Sequence, residues 1–76
     1  MKRSDFCRIV KQARDIDILN DQWFNTMGWF WLNLTELQAS VMYRLILAQG
    51  GEEKTEPETL RKYVELKNGM RLYGEV

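Results

Sequence analysis

The sequence WFNTMGWFWLNL, residues 23–34, holds all three tryptophans of the chain and two of its three phenylalanines. Such a segment fits three roles: the core of a small fold, a membrane-seeking stretch, or an aromatic surface kept for a partner. The chain has 76 residues, and a domain of that size buries only about 60% of the surface of its unfolded form. Because large rings build a core from few residues, we expect this segment to organise the fold.

Apolar periodicity predicts one helix over residues 21–33. One broad side of this helix carries most of its large apolar side chains, namely Trp23, Phe24, Met27, Phe30, Trp31 and Leu34. Trp29 and Leu32 lie on the other side. Gly28 is next to them and costs about 1 kcal/mol of helix propensity relative to alanine, which indicates the close approach of another backbone. We therefore predict that the first side forms the core and that the second meets a partner.

A helix is also predicted near the start of the chain, where Ser4 is a candidate cap. Its apolar residues follow the three- and four-residue spacing of one helical face: Phe6, Ile9, Val10, Ala13 and Ile16. The opposite face is basic and carries Arg3, Arg8, Lys11 and Arg14. We interpret this face as solvated, because cations without interleaved aromatic residues are a weak signal for nucleic-acid binding.

The clearest helix of the sequence begins at Thr35, which has the capping-box spacing to Gln38, and ends at the two glycines of positions 50 and 51. One apolar stripe contains Leu37, Val41, Leu45 and Ala48. A second apolar group fills most of the remaining circumference and contains Met42, Tyr43, Ile46 and Leu47. A helix that is apolar on so many sides is typically central in the fold or shared between subunits.

Two structures compete for the C-terminal third. Thr55 and Glu58 repeat the capping-box spacing and Pro57 suits a first turn, which favours a fourth helix over residues 56–67. The alternative is a β-hairpin with a type I′ turn at Asn68-Gly69. The residues after that turn, 70–76, alternate with a period of two and predict a short strand. The fold class predicted is thus mainly α, a compact domain of three or four helices over residues 1–76, with a C-terminal strand or hairpin as the open alternative.

The residue inventory argues against catalysis. The chain has no histidine and a single cysteine, Cys7, so it lacks the Ser-His-Asp and Cys-His arrangements, an intrachain disulfide and a Cys/His zinc site. The glycines form no phosphate-binding loop, and the aspartates of residues 15–21 lack the turn and closing glutamate of a calcium loop. We expect no enzyme activity, no cofactor and no metal. The lone thiol and the absence of a signal-peptide pattern predict a cytoplasmic protein.

Charge is balanced overall but divided along the chain. The net charge is zero, from eleven basic and eleven acidic residues. Residues 1–14 hold five cations against Asp5 alone, whereas residues 15–43 hold four acids and no base. A winged-helix-like or helix-turn-helix-like DNA-binding regulator is the first alternative function, with phosphate contacts from Arg61, Lys62, Lys67 and Arg71. Three glutamates lie among those cations and weaken this alternative, since counterion release needs a surplus of positive charge.

A membrane-surface protein is the second alternative. The aromatic segment spans about 12 residues and contains two asparagines, whereas a bilayer requires about 20 apolar residues, so no transmembrane helix is predicted. Surface binding is also disfavoured, because aspartates precede the segment and no cation flanks it before Arg44.

The predicted function is therefore a non-catalytic protein-binding module, a small oligomerising adaptor or inhibitor that docks on another protein through its aromatic helix. Homodimerisation is expected as well, since a chain this small without disulfides or metal gains stability from association. The predicted interface residues are Trp29 and Leu32, together with exposed parts of Met42, Tyr43 and Ile46.

Overall fold

The computed structural model describes residues 1–74, and this part of the chain folds as a layer of helices on a small antiparallel sheet. The helices are α1 (Arg3–Ala13), α2 (Asp21–Thr26), α3 (Gly28–Leu32) and α4 (Glu36–Ala48). The strands are β1 (Lys54–Thr55), β2 (Lys62–Glu65) and β3 (Arg71–Tyr73). The radius of gyration of 11.9 Å is close to the value of about 11 Å expected for this length. The expectation of a compact fold is confirmed, but the helices share it with a sheet.

The aromatic segment forms two short helices where the sequence predicts one. The break falls at Met27, whose φ of −100° and ψ of 22° leave the helical region. Asn20 is the N-cap of α2, and its side-chain oxygen accepts hydrogen bonds from the N–H groups of Gln22 and Trp23. After the break, Phe30 and Trp31 of α3 are both buried in the core.

The aromatic rings of this segment form the centre of the core, as predicted. Phe30 and Trp31 are essentially inaccessible to solvent. Phe30 stacks on Phe6 of α1 with ring centroids 6.1 Å apart, and Trp31 stacks on Phe24 at 5.5 Å. Trp23 is partly buried and meets both central rings edge-on. Aromatic pairs in these geometries are worth about 0.5–1.5 kcal/mol beyond the area they bury.

α1 packs on this core through its predicted apolar face, with Phe6, Ile9 and Ala13 buried. Two details of the prediction are wrong. Ser4 does not cap the helix, because α1 already begins at Arg3 and its N-cap residue makes no side-chain hydrogen bond to the backbone. Ile16 lies beyond the end of the helix and is 44% exposed.

α4 begins at the predicted capping box and ends at the predicted glycine stop. The N–H of Gln38 donates to Thr35 Oγ1 at 3.2 Å, and the N–H of Thr35 donates to Gln38 Oε1 at 3.0 Å. Gly50 has a φ of +91°, which glycine adopts without the penalty of a Cβ. Both ends of the helix are therefore determined locally.

The side of α4 that faces the core carries Met42, Tyr43 and Ile46, and all three are buried. This corrects the prediction that parts of them are exposed. The reason is the sheet, which packs against this side: Ser40 Oγ donates to the carbonyl of Gly74 at 3.1 Å, just after β3. The opposite stripe of the same helix consequently faces solvent.

The predicted fourth helix over residues 56–67 is wrong, and the hairpin alternative is correct. β2 pairs antiparallel with both β1 and β3, and Val64 lies opposite Leu72. Both of these side chains are buried. The burial of this pair and the hydrogen bonds between the strands stabilise the hairpin more than a cap would stabilise a helix. Tertiary contacts commonly override local helix propensity in this way. The short strand predicted within residues 70–76 is confirmed as β3, which has three residues. Glu75 and Val76 lie outside the described residues.

The two turns of the sheet depend on left-handed residues. Between β2 and β3, Gly69 has a φ of +86° and the N–H of Leu66 donates to the carbonyl of Met70 at 2.7 Å. Because Asn68 is not left-handed, this is a three-residue loop with a glycine bulge instead of the predicted type I′ turn. Between β1 and β2 the left-handed residue is Leu60, with a φ of +59°.

Candidate interaction surfaces

The large apolar side chains that remain exposed are concentrated in one part of the fold. In residues 1–74 they are Ile16, Trp29, Leu32, Leu37, Val41 and Leu60. Four of these six belong to α3 and α4, within residues 29–41. Scattered single apolar residues are ordinary on a protein surface, whereas a concentration of them indicates an interaction site.

Trp29 and Leu32 are exposed as the sequence predicts, and we call them the α3 surface. Trp29 is 51% exposed and Leu32 is 75% exposed. The ring of Trp29 meets the buried ring of Phe30 edge-on, with centroids 6.3 Å apart. The side-chain amide of Asn33 donates to the carbonyl of Trp29 at 2.6 Å and closes the end of the helix. The surface is therefore attached directly to the most buried part of the core.

Gly28 does not serve a close approach within the chain. A Cβ at this position would meet no atom within 4 Å. The space beside the α3 surface is open, and the predicted approach of a backbone finds no counterpart among the described residues.

Leu32 also borders a groove of about 400 Å³ that runs between α3, the start of α4 and β3. The far wall of the groove is basic and aromatic. The guanidinium of Arg61 lies 4.2 Å above the ring of Tyr73, and that of Arg71 lies 4.4 Å above the ring of Tyr63. Such cation–π contacts hold long cationic side chains in place, so the rim beside Leu32 is polar and ordered.

Glu56 connects the polar residues of this rim through hydrogen bonds. It accepts a hydrogen bond from the hydroxyl of Tyr73 at 2.5 Å and one from the guanidinium of Arg71 at 3.3 Å. The hydrogen bond from Tyr73 is the main cause that lowers the pKa of the Glu56 carboxyl, and the hydrogen bond from Thr59 adds to it. The pKa of Arg71 is raised by its contacts with the two tyrosines and with Glu56. Part of the positive charge predicted for nucleic acid is thus neutralised in the fold.

The remaining cations predicted for nucleic-acid contact are divided between two regions. Lys62 pairs with Glu53 at 3.3 Å, and Lys67 forms an ion pair with Asp21. The α1 cations Arg3, Arg8, Lys11 and Arg14 are all exposed, as predicted. Only Arg8 among these four has an ion pair within residues 1–74, with Asp5 at 3.7 Å. The structure does not bring the α1 cations together with Arg61 and Arg71.

The interface residues predicted on α4 have a structural role here. Met42 is 0% exposed, and Tyr43 and Ile46 are buried beside it. The hydroxyl of Tyr43 donates a hydrogen bond to Glu53 and is the first cause that lowers the pKa of that carboxyl, followed by its contacts with Lys62. Tyr43 therefore links α4 to the segment before β1 through this hydrogen bond.

Sequence reasoning missed Leu37 and Val41 as surface residues. Leu37 is 66% exposed and Val41 is 37% exposed, and Ala48 lies on the same exposed stripe of α4. The sequence did contain a signal for their exposure, because α4 has two apolar sides and a single side is enough to form a core. It did not reveal which side the sheet covers.

The described residues contain no cluster of metal-ligating side chains. Cys7 is exposed. The indole N–H of Trp31 is buried and has no hydrogen-bond partner among residues 1–74, which is a local penalty in the core. Within the same part of the chain, no helix combines the length and the apolar character needed to cross a membrane.

By architecture, the described chain is a four-helix layer on a three-stranded antiparallel sheet of order β1-β2-β3. In comparisons with known proteins it matches no family model, no curated protein and no solved structure.

Proposed function

We propose that this protein is a non-catalytic protein-binding module that docks on another protein or on a second copy of itself through the α3 surface. The observation that carries the proposal is the exposure of Trp29 and Leu32 on a short helix whose other side forms the centre of the core. An adaptor or an inhibitor would use such a surface as its anchor.

The α3 surface is supported by buried and stacked rings, which favours binding. The neighbouring residues Phe30 and Trp31 are fully buried and stack on rings of other helices. A side chain that is held in place before association loses less conformational entropy when it is buried in a complex. Tryptophan is also among the residue types that contribute most to binding energy at interfaces.

The surroundings of Leu32 have the composition of an interface rim. Leu32 borders the groove whose far wall is formed by Arg61, Arg71 and Tyr73. Interfaces typically place an apolar centre inside a polar rim, and they are enriched in tyrosine and arginine. The α3 surface and this rim together offer both parts.

DNA binding receives less support from the same geometry. In a winged-helix arrangement α4 would be the helix that reads bases, but its exposed stripe carries Leu37, Val41 and Ala48 with a single cation, Arg44. Base edges are read mainly by polar side chains that donate and accept hydrogen bonds. The ion pairs of Lys62, Lys67 and Arg71 further reduce the positive charge on the sheet side.

An affinity-capture experiment tests the proposal. The chain is immobilised and exposed first to purified copies of itself and then to an extract of the source cell. The wild-type chain is expected to retain a protein, and Trp29→Ala and Leu32→Ser are expected to lose it.

Ile16→Ser is the matched control, because Ile16 is also exposed and apolar but lies away from α3. Equal retention by the wild type and both α3 variants, or no retention by the wild type, would refute the proposal.

A further inference from the structure

α1 and α4 lie side by side and point in the same direction. At their N-terminal ends the side-chain amide of Gln38 donates to the carbonyl of Met1 at 3.0 Å. At their C-terminal ends the side-chain amide of Gln49 donates to the carbonyl of Ala13 at 2.8 Å. Because both ends are joined, a furrow separates the two helices, and α1 itself is about 16 Å long for its 11 residues.

The furrow contains an apolar groove of about 390 Å³, which we call the α1–α4 groove. Phe6 and Cys7 line it from α1, and Leu37 and Val41 line it from α4. The exposure of Leu37 and Val41 means that this groove is not filled by the part of the chain that the structure describes. It lies on the α1 side of α4, whereas the groove beside Leu32 lies on the sheet side.

One cation lines the groove, and others continue along the same sides of the two helices. Arg3 lines it directly. Lys11 and Arg14 follow Arg3 and Cys7 on the same side of α1, at spacings of four, eight and eleven residues from Arg3. On α4, Arg44 shares the exposed stripe of Leu37 and Val41.

None of these four cations forms an ion pair within residues 1–74. The acid of α1, Asp5, pairs with Arg8 instead. The groove thus combines an apolar centre with the unpaired Arg3 on its α1 wall, and the other three unpaired cations lie farther along α1 and α4.

We propose that the α1–α4 groove binds an acidic amphipathic helix of a partner protein. The groove is lined by residues 3–7 and 35–41, and a helix of about three turns would reach from it to Lys11 and Arg44. Its apolar stripe would cover Leu37 and Val41, as in other helix-in-groove complexes. Carboxylates on either side of that stripe would meet the cations of α1 and α4, which favours rapid and selective association.

Other occupants fit less well. The chain's own exposed acidic and apolar segment, Asp15-Ile16-Asp17, follows α1 as a short turn and cannot fill a furrow of this length. Duplex nucleic acid would match the cations but would leave Leu37 and Val41 without apolar contacts. The inference goes beyond the α3 surface, because the two sites lie on different sides of α4 and each can fail without the other.

Cys7 provides a local readout, since it is exposed, lines the groove and is the only cysteine of the chain. The rate at which a neutral alkylating reagent modifies Cys7 is measured with and without a synthetic helix. The probe has about 16 residues, with leucine at helical spacing and glutamate elsewhere. A matched peptide carries lysine in place of glutamate.

The glutamate peptide is expected to slow the modification of Cys7 by about tenfold at saturation, while the lysine peptide has no effect. The protection should weaken as salt rises from about 0.05 M to about 0.5 M, because the exposed charges become screened. Arg3→Gln combined with Lys11→Gln should weaken binding by about tenfold, which is the effect of about 1.4 kcal/mol.

Leu37→Ser combined with Val41→Ser should abolish the protection, whereas Ile16→Ser should keep it. Both groove substitutions change exposed side chains, and circular dichroism verifies that the variant remains folded.

Four results would overturn the proposal: no protection by the glutamate peptide, equal protection by the lysine peptide, full protection of the Leu37→Ser/Val41→Ser variant, or protection of Cys7 by a second copy of the chain. Stronger protection by a DNA duplex than by the glutamate peptide would assign the groove to nucleic acid and would overturn it as well.

Discussion

Leu60 is the residue whose backbone departs most from its usual preference. Its φ of +59° lies in the left-handed region, and its side chain is 74% exposed. It occupies the last position of the turn between β1 and β2, where the N–H of Glu56 donates to the carbonyl of Arg61 at 2.8 Å. A left-handed leucine costs about 1–2 kcal/mol relative to its right-handed form, and glycine avoids this penalty.

Leu60→Gly is therefore expected to keep the sheet and to raise the free energy of unfolding by up to about 1 kcal/mol, because relief of the left-handed strain exceeds the added entropy of the unfolded chain. Chemical denaturation measures the difference. Glu58→Gly is the control, since Glu58 is exposed in the same turn but does not have a positive φ, and it should destabilise. If Leu60→Gly destabilises as much as Glu58→Gly, the left-handed strain is refuted.

α4 has two apolar sides, of which one is buried and the other is exposed. Met42 and Val41 are neighbours in sequence, but Met42 is 0% exposed and Val41 is 37% exposed. We expect Met42→Ala to lower the free energy of unfolding by about 2–5 kcal/mol, as other core truncations do. Val41→Ala should change it by less than about 0.5 kcal/mol.

Urea denaturation of both variants tests this assignment of α4. A larger loss for Val41→Ala than for Met42→Ala would mean that the helix is turned the other way, with the predicted interface residues exposed.

Two carboxylates that accept hydrogen bonds from tyrosines, Glu53 from Tyr43 of α4 and Glu56 from Tyr73 of β3, predict a dependence on acid. The pKa values of Glu53 and Glu56 are lowered from the ordinary value of 4.5, chiefly by hydrogen bonds from Tyr43 and Tyr73. A carboxyl with a lowered native pKa contributes stability that is fully present above its unfolded pKa and is lost as the pH falls through the native value. The urea midpoint should therefore decrease as the pH falls below the ordinary value of 4.5 and through the lowered native pKa values of the two carboxyls.

Glu53→Gln and Glu56→Gln should each reduce this fall in the urea midpoint. The control is Glu58→Gln, because Glu58 has no ion pair or hydrogen bond within residues 1–74. If all three variants keep the acid dependence of the wild type, the hydrogen bonds to Glu53 and Glu56 do not contribute to the stability of the fold.

The elements that sequence predicts correctly are those determined by local contacts. The capping box of Thr35 and Gln38 starts α4, and the side chain of Asn20 starts α2. The helix predicted from the equivalent spacing of Thr55 and Glu58 is wrong. Residues 62–65 are stabilised more by pairing with two other strands than they would be in a helix. The local signals of this pairing were the turn at Gly69 and the period-two alternation after it, and neither identifies the strand partners.

At the scale of the whole molecule, the aromatic segment divides as its helical wheel predicts. Phe24, Phe30 and Trp31 are buried, while Trp29 and Leu32 remain exposed. The second part of the candidate site, Leu37 and Val41, was not predictable, because it depends on which side of α4 the sheet covers. The sheet covers the other side of α4 because Val64 and Leu72 pack on the helices. Both residues are distant in sequence from α3.

The association of the chain through Trp29 is the central claim, and sedimentation velocity of the wild type and Trp29→Ala over a range of concentrations tests it most directly. The wild type should sediment with a mass above the 9.1 kDa of one chain, and the mass should rise with concentration. Trp29→Ala should remain at the mass of one chain with unchanged helix content by circular dichroism. A variant that sediments like the wild type, or one that unfolds and so places Trp29 in the core, would contradict the account.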